Sequence, residues 1–435
     1  MTSNNGGGAG SRGVGRRTLL ASALAAATVG LAGCGRGTQT RPAPGDVVSL
    51  FNDNSTWAPG YAAAGAQLKR VAGYTLAARA VPNVSNYQQI VRMSAQTDAT
   101  ADLIKWWNGY RLIDIARAGI LADVTDAWDY AAQQGWCDDD ELRATFSYEG
   151  RQYGLPLYKS YYAVFYSKPT FRKLGVEVPT TWDEFLHVVE AARAKGITPI
   201  GSGGATSWES LVWFQQLVNG LDHGFYQKLT AGTASYTDPV CREAMRLWVD
   251  LYKRKAFSSP DFVTSTVPAQ FAQGKVAMHL YGTWNTGAFL SAGVKDRDLG
   301  AFVLPPPPGG NRSVVVESGV LSVSANAHKL DAAKDVAKSW LHPNVQRAWT
   351  GFLKDASADP SVVPNIGAVR DVTDAVAKTK PSQAVRYWEA SPPVLIEGNV
   401  QDLSAFMINP TQSAAAKTLD AMQRRADKEW KVWRS

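Results

Sequence analysis

Cysteine and histidine are scarce in this chain, at three and five residues in 435. No CxxC pair and no His/Cys cluster occurs, so neither a structural zinc site nor a thiol redox centre is expected. His187, His223, His279, His328 and His342 stand singly, and each reads as structural or surface. Past the N-terminus no apolar run reaches about 18 residues, which argues against a helical membrane body. A basic stripe is missing too. The formal charge is +7, but Arg12, Arg16 and Arg17 of the first segment account for part of it. The other basic residues are interspersed with acids, so nucleic acid is not an expected partner. The hydrolase motifs GxSxG and HExxH are absent. No internal repeat is visible.

What the chain does have is length, apolar content and aromatic rings. With 435 residues, 45% of them hydrophobic and 19% charged, it exceeds one ordinary core and predicts at least two globular units. Residues 1–33 read as a signal peptide. Arg16-Arg17-Thr18-Leu19-Leu20 precedes an apolar run to Leu31, a charged n-region followed by a short h-region. The paired arginines resemble a twin-arginine export signal, although a Sec leader can also hold Arg-Arg. Leu31-Ala32-Gly33-Cys34 resembles a bacterial lipobox, in which cleavage precedes the cysteine and its sulfur is acylated. Residues 34–45 then form a flexible tether. An exported protein could bridge the other two cysteines, Cys137 and Cys241; two unpaired buried thiols is the preferred reading.

Beyond the tether, strands and helices alternate. Val47–Phe51, Tyr74–Val81 and Leu103–Trp106 are strand-like. Residues 60–72 and 84–96 carry apolar positions at helical spacing, and a helix around Ile113 and Ile115 stops at Gly119. This alternation predicts an α/β unit with a mostly parallel sheet. A second unit starts near residue 157. Tyr161–Tyr166 is a strand, and Pro169 opens a short helix closed by Gly175. Thr181-Trp182-Asp183-Glu184 is a capping box whose helix runs to about Lys195. Asp238-Pro239 is expected to cap a helix to about Lys253. Val276–Tyr281, Gly300–Leu304 and Val314–Val323 are strand-like, Asp331 is expected to cap a helix through Leu341, and an amphipathic helix closes the chain from about Thr411 to Trp433.

Several segments, taken in order, resemble the family-1 extracellular solute-binding proteins, whose best-known members bind maltose and other sugars. Asp102-Leu103-Ile104-Lys105-Trp106-Trp107, followed by Ala118-Gly119-Ile120-Leu121-Ala122-Asp123-Val124-Thr125, is similar to one family segment. Tyr148-Glu149-Gly150-Arg151-Gln152-Tyr153-Gly154-Leu155-Pro156 is similar to another. Phe165-Tyr166-Ser167-Lys168 and Pro179-Thr180-Thr181-Trp182-Asp183-Glu184-Phe185 continue in register. Phe271-Ala272-Gln273-Gly274-Lys275-Val276-Ala277-Met278 with Gly282-Thr283-Trp284, and then Gly319–Val323 with Ala332-Ala333-Lys334, complete the series. The likeness covers nearly all of 46–350 and is loose beyond.

The resemblance implies an α/β, two-lobed periplasmic-binding-protein-like fold (type II), with hinge strands between the lobes and ligand in the cleft. Lobe one is placed at 46–155 plus 305–345, and lobe two at 156–304 plus 346–435. Sites in such sheets lie at strand C-terminal ends and between domains. Sugar rings present an apolar face and a rim of hydroxyls, so their sites need aromatic platforms and planar polar side chains. With 15 Trp and 16 Tyr available, position selects the candidates. Trp106, Trp107 and Asn108 follow a strand directly. Trp284 and Asn285 follow another, where the family's cleft tryptophan lies. Trp208 follows the Gly201–Gly204 turn. Asn52 and Asp53 end the first strand, and Glu317 and Ser318 precede the glycine of the late one. Tyr158, Lys159 and Tyr387 or Trp388 complete the set. Trp128, Trp182, Trp248 and Trp340 fall inside helical patterns and read as core.

The function implied is that of a substrate-binding lipoprotein of an ABC importer. It would be held at the outer face of the membrane through lipid on Cys34, monomeric, without cofactor, metal or catalytic residues, and would pass a small-molecule ligand to permease subunits. Other classes remain open. A secreted glycosidase needs two carboxylates, and Asp53, Glu209 and Glu317 supply the inventory. A sensor or adhesion module could use the same fold. Mono-, di- and oligosaccharides, polyols, sugar phosphates and other polar metabolites all remain possible ligands.

Overall fold

The computed structural model describes residues 46–203, 208–259 and 261–435. The leader, Cys34, the tether and Gly204 lie outside the described residues. Thirteen strands are described. In chain order they are β1 (Val47–Asn52), β2 (Thr75–Ala80), β3 (Leu103–Trp107), β4 (Ser147–Tyr148), β5 (Arg151–Gln152), β6 (Leu155–Pro156), β7 (Ser160–Ser167), β8 (Thr198–Ile200), β9 (Val276–Gly282), β10 (Leu299–Phe302), β11 (Ser313–Glu317), β12 (Gly319–Val323) and β13 (Ser382–Val385).

The first sheet has the order β2-β1-β3-β12-β6. Strands β2, β1 and β3 are parallel, as expected of strands joined through helices, and β12 runs antiparallel to β3. The intervening helix Ala58–Val71 begins with proline in its first turn, where no backbone N–H is needed. It packs on Pro343–Leu353 so closely that a Cβ on Gly60 would lie 2.3 Å from the Phe352 ring. Tyr61 stacks on Trp349 of that second helix, with ring centroids 4.5 Å apart. Leu50, Leu68, Ile115, Trp128 and Trp340 lie in the same core.

The second sheet has the order β13-β11-β7-β9-β8, with β10 alongside β7. Its core surrounds the helix Leu211–Leu221, which is buried over ten of its eleven residues. Its sequence LVWFQQLVNGL carries no charge and is apolar on most of its faces, which accounts for that central position, with Gln215, Gln216 and Asn219 buried among the apolar residues. The capping box forms as expected: the Thr181 hydroxyl accepts from the Glu184 N–H, and Glu184 accepts from the Thr181 N–H. Gly175 closes its helix in the left-handed conformation, which lacks a Cβ penalty only for glycine. Two expected caps differ. Asp238 takes the expected N-cap position with Pro239 in the first turn, but its carboxylate accepts from the Ser235 N–H and not from the helix; Asp331 lies in the first turn behind the cap residue Lys329.

Three chain crossings join the sheets side by side. The segment 157–159 leads from β6 to β7. Leu157 N–H donates to Gly319 O (2.8 Å), and Ser318 Oγ–H donates to Tyr158 O (2.6 Å). Lys159 N–H donates to Ala356 O (3.1 Å) of the third crossing. The expected single strand Val314–Val323 is instead broken at Ser318, with β11 in the second sheet and β12 in the first. This corrects the expected boundaries. Residues 313–317 pair with the second sheet, so re-entry falls at Ser318 and not at 305. The helix Pro343–Leu353 buries Trp349 in the first core, so departure falls near Asp355 and not at 345. Cys137 and Cys241 are buried and free, one in each core. No helix among the described residues is long and apolar enough to cross a membrane.

Candidate functional site

Strand β3 ends on the sequence Lys105-Trp106-Trp107, and side chains alternate across a sheet. Lys105 and Trp107 therefore share one face, and Trp106 takes the other. On the shared face the Lys105 ammonium lies 4.0 Å from the Trp107 ring centroid and 5.8 Å from that of Trp57. Its Nζ is 3.0 Å from Asp53 Oδ2, with side-chain exposures of 5% and 11%. Trp57 is brought there by a 3-10 turn, Ser55–Trp57, whose first N–H groups are satisfied by Asn54. A buried cation is thus paired with a carboxylate and faced by two indoles, which lowers the cost of holding it away from water.

On the second sheet, β9 ends in Tyr281-Gly282 and is followed by a 3-10 turn, Thr283–Asn285, that carries Trp284. The Trp284 indole folds back over Gly282, where a Cβ would lie 2.2 Å from its Nε1; glycine is needed at this close approach. Tyr281 and Trp284 have ring centroids 4.9 Å apart, and Trp208 lies 5.4 Å and 6.1 Å from them. Tyr281 Oη–H donates to Glu209 Oε1 at 3.1 Å. Behind Tyr281, His279 is fully buried with Nδ1 2.7 Å from Gly201 O. Burial lowers its pKa to about 4, so the ring is neutral near pH 7.

Glu317, the last residue of β11, joins these two groups. Its Oε2 accepts from Trp284 Nε1–H at 2.8 Å and lies 2.8 Å from Arg386. Tyr158 Oη–H, whose ring meets Trp57 edge-on, donates to Oε1 at 3.4 Å. Arg386 also donates through Nε to Glu389 at 2.7 Å and through a second nitrogen to the same carboxylate. Burial pushes the Glu317 carboxyl up. Arg386 pulls it back, Glu389 raises it, and the Trp284 N–H and Lys105 pull it down. Burial works against the Arg386 cation as well, yet its two carboxylates hold it well above its ordinary value. Nearby, Asp355 is 2% exposed and accepts from Ser160 Oγ–H, Thr283 Oγ–H and the Ala356 N–H. Burial pushes its pKa up to about 7.

Six sequence-selected residues therefore come together: Asp53, Trp107, Tyr158, Trp208, Trp284 and Glu317. The others do not join them. Trp106 is 2% exposed, packs against Tyr87 and donates its indole N–H to Arg111 O at 2.9 Å, so it is core. Asn52 spends its amide on the Asn54 N–H and Arg79 O. Ser318 stitches the hinge. Tyr387 is buried in the second core, bonded to Tyr236 and Asn399. Trp388 lies beneath the Arg111 guanidinium, 4.0 Å from it. Asn108 and Lys159 line a separate crevice of about 40 Å³ with Asp139 and Val316. Val316 precedes Glu317 on β11 and faces the opposite way. Asn285 stands half-buried at the head of the helix Thr286–Ser291.

Sequence reasoning missed Trp57, Lys105, Tyr281 and Arg386. Lys105 was detectable as the lone charge in an apolar strand, two residues from Trp107. Tyr281 shares a face with His279. Arg386 follows a short edge strand and carried no pattern.

Two α/β lobes joined by adjacent crossings, with aromatic groups meeting at strand ends, define a periplasmic-type binding protein. Residues 54–347 match the model of the bacterial extracellular solute-binding protein family, and the chain belongs to that family. A probable sugar-binding periplasmic protein of Brucella suis is 26% identical over 62% of this chain and 66% of its own length. A multiple sugar-binding protein of Streptococcus mutans is 29% identical over 49% of this chain and 52% of its own. The match thus spans from about half to just under two thirds of the length of these relatives. Among solved structures, the solute receptor AcbH, described as preferring β-D-galactopyranose, superposes with a TM-score of 0.78 at 19% identity, covering 88% of this chain and 99% of that one. A chitin oligosaccharide binding protein gives 0.74 at 21% identity, over 88% and 98%.

Proposed function

We propose that this chain is the capture component of an ABC-type importer and binds carbohydrate between the Trp57/Trp107 and Trp208/Tyr281/Trp284 groups. The observation that carries the reading is those two aromatic groups, joined through Tyr158 and Glu317. Indole and phenol faces suit the C–H face of a sugar, and each well-placed ring adds about 0.5–1.5 kcal/mol beyond burial. The sugar-binding descriptions of its relatives support the same assignment. A thermal-shift screen of the purified protein against a carbohydrate library tests it, since bound ligand raises stability by RT ln(1 + [L]/Kd). Hits recovered chemically unchanged support capture. Silence across the library, or hydrolysed product, contradicts it.

The protein is exported and anchored through lipid on Cys34, a reading supported by the Leu31-Ala32-Gly33-Cys34 run. A fatty-acid analogue should label the wild type and not Cys34→Ala; equal labelling contradicts the anchor. Ligand touching both aromatic groups binds the closed state better and shifts the population toward it. Small-angle scattering should then show a smaller radius of gyration with ligand than without, and an unchanged radius at saturation contradicts closure.

A further inference from the structure

We infer that the cleft selects uncharged carbohydrates and excludes sugar phosphates and sugar acids, because its cations are already committed to its own carboxylates. The inference rests on the carbohydrate reading above. Lys105 is held by Asp53 at 3.0 Å. Arg386 is divided between Glu317 and Glu389, both buried. Glu209, bonded to Tyr281, adds a further carboxylate on the second wall. In this inner cluster the carboxylates Asp53, Glu209, Glu317 and Glu389 outnumber the cations Lys105 and Arg386.

An anionic ligand would need a cation whose charge is not already balanced; Lys105 can still offer an N–H, but its charge is neutralised by Asp53. Withdrawing Lys105 would leave Asp53 unpaired where solvent is largely excluded, and withdrawing Arg386 would leave Glu317 and Glu389 facing each other. Uncovering one member of a buried pair is strongly unfavourable, and like charge brought into such a site repels. A hydroxyl asks for neither change. It can accept from Lys105 or donate to Asp53 while the pair remains closed. The exposed Arg79 guanidinium stands on the edge strand β2, 5.6 Å from the Phe51 ring. A solvated rim charge of this kind adds little to binding.

The test is calorimetry on the purified protein with matched sugars: glucose, galactose and maltose, against glucose 6-phosphate and glucuronate, galactose 6-phosphate and galacturonate, and maltose 6′-phosphate. At least one neutral sugar should bind, and its charged counterpart should bind at least about 30-fold more weakly. In Asp53→Asn, which releases the Lys105 ammonium, that ratio should shrink at least about five-fold. A charged sugar binding within three-fold of its neutral counterpart, or better, overturns the inference and leaves the carbohydrate reading standing. So does an unchanged ratio in Asp53→Asn. Silence of both sets overturns the carbohydrate reading and this inference with it.

Discussion

The two aromatic groups proposed to hold the ligand, one on each lobe and called its walls below, reach the same chemistry by different construction. On the first, Trp107 belongs to a central strand and is backed by the core, with Lys105 and Asp53 fixed beside it. On the second, Trp208 and Trp284 stand on 3-10 turns beside or after strands, half-buried, and only Tyr281 belongs to a strand. A platform built into a sheet ties ligand contact to stability. A platform on a turn can change with smaller consequences for the core. The first wall should therefore be the more rigid and the less tolerant of substitution, and the second should set affinity more independently of folding.

The largest expected effect tests the first wall's dependence on its core. Trp106→Ala should cost about 3–5 kcal/mol of unfolding free energy, as for other buried large-to-small changes, measured by urea denaturation. A stable Trp106→Ala protein that had lost ligand affinity would reverse the assignment of Trp106 and Trp107 to opposite faces. Next is the junction of the walls at Asp355. An acid whose folded pKa is raised, here from 3.8 to about 7, favours the folded state at low pH. Its contribution is complete below about pH 4 and is lost as pH rises toward 7. The stability of wild type relative to Asp355→Asn should fall by about 4 kcal/mol across that window. A flat difference would mean the carboxylate is solvated when the lobes move. The smallest effect belongs to Trp57, which holds no strand position. Trp57→Ala should weaken binding by about 1 kcal/mol with little change in melting temperature; a larger loss of stability would make the first wall's outer ring as core-bound as Trp107.

Local chemistry was the part most legible in the sequence. The capping box at Thr181 and Glu184, the glycine stop at Gly175 and the terminal helix follow from short-range rules, and each appears within a residue or two of its expected place. Long-range partners were not legible. An apolar run such as Val314–Val323 has one period whether its halves join one sheet or two, and only the pairing of Glu317 with Ser160 and of Gly319 with Trp107 separates them. Tandem tryptophans posed a similar problem. Strand alternation says that the two rings take opposite faces, but not which one joins the site; the Trp106 bond to Arg111 O and the Lys105 ammonium over Trp107 decide it. Asn52 and Ser318 sit at the expected strand ends, yet the backbone there already uses their polar atoms.

The most direct test of the central claim is calorimetric titration of a sugar identified in the screen into wild type, Trp107→Ala and Trp284→Ala, one ring removed from each wall. Each variant should fold and lose at least about 2 kcal/mol of binding free energy, or roughly 30-fold in affinity, with the larger drop in melting temperature for Trp107→Ala. Folded variants that both retain wild-type affinity would contradict the account, because the sugar would then lie elsewhere than between these two walls.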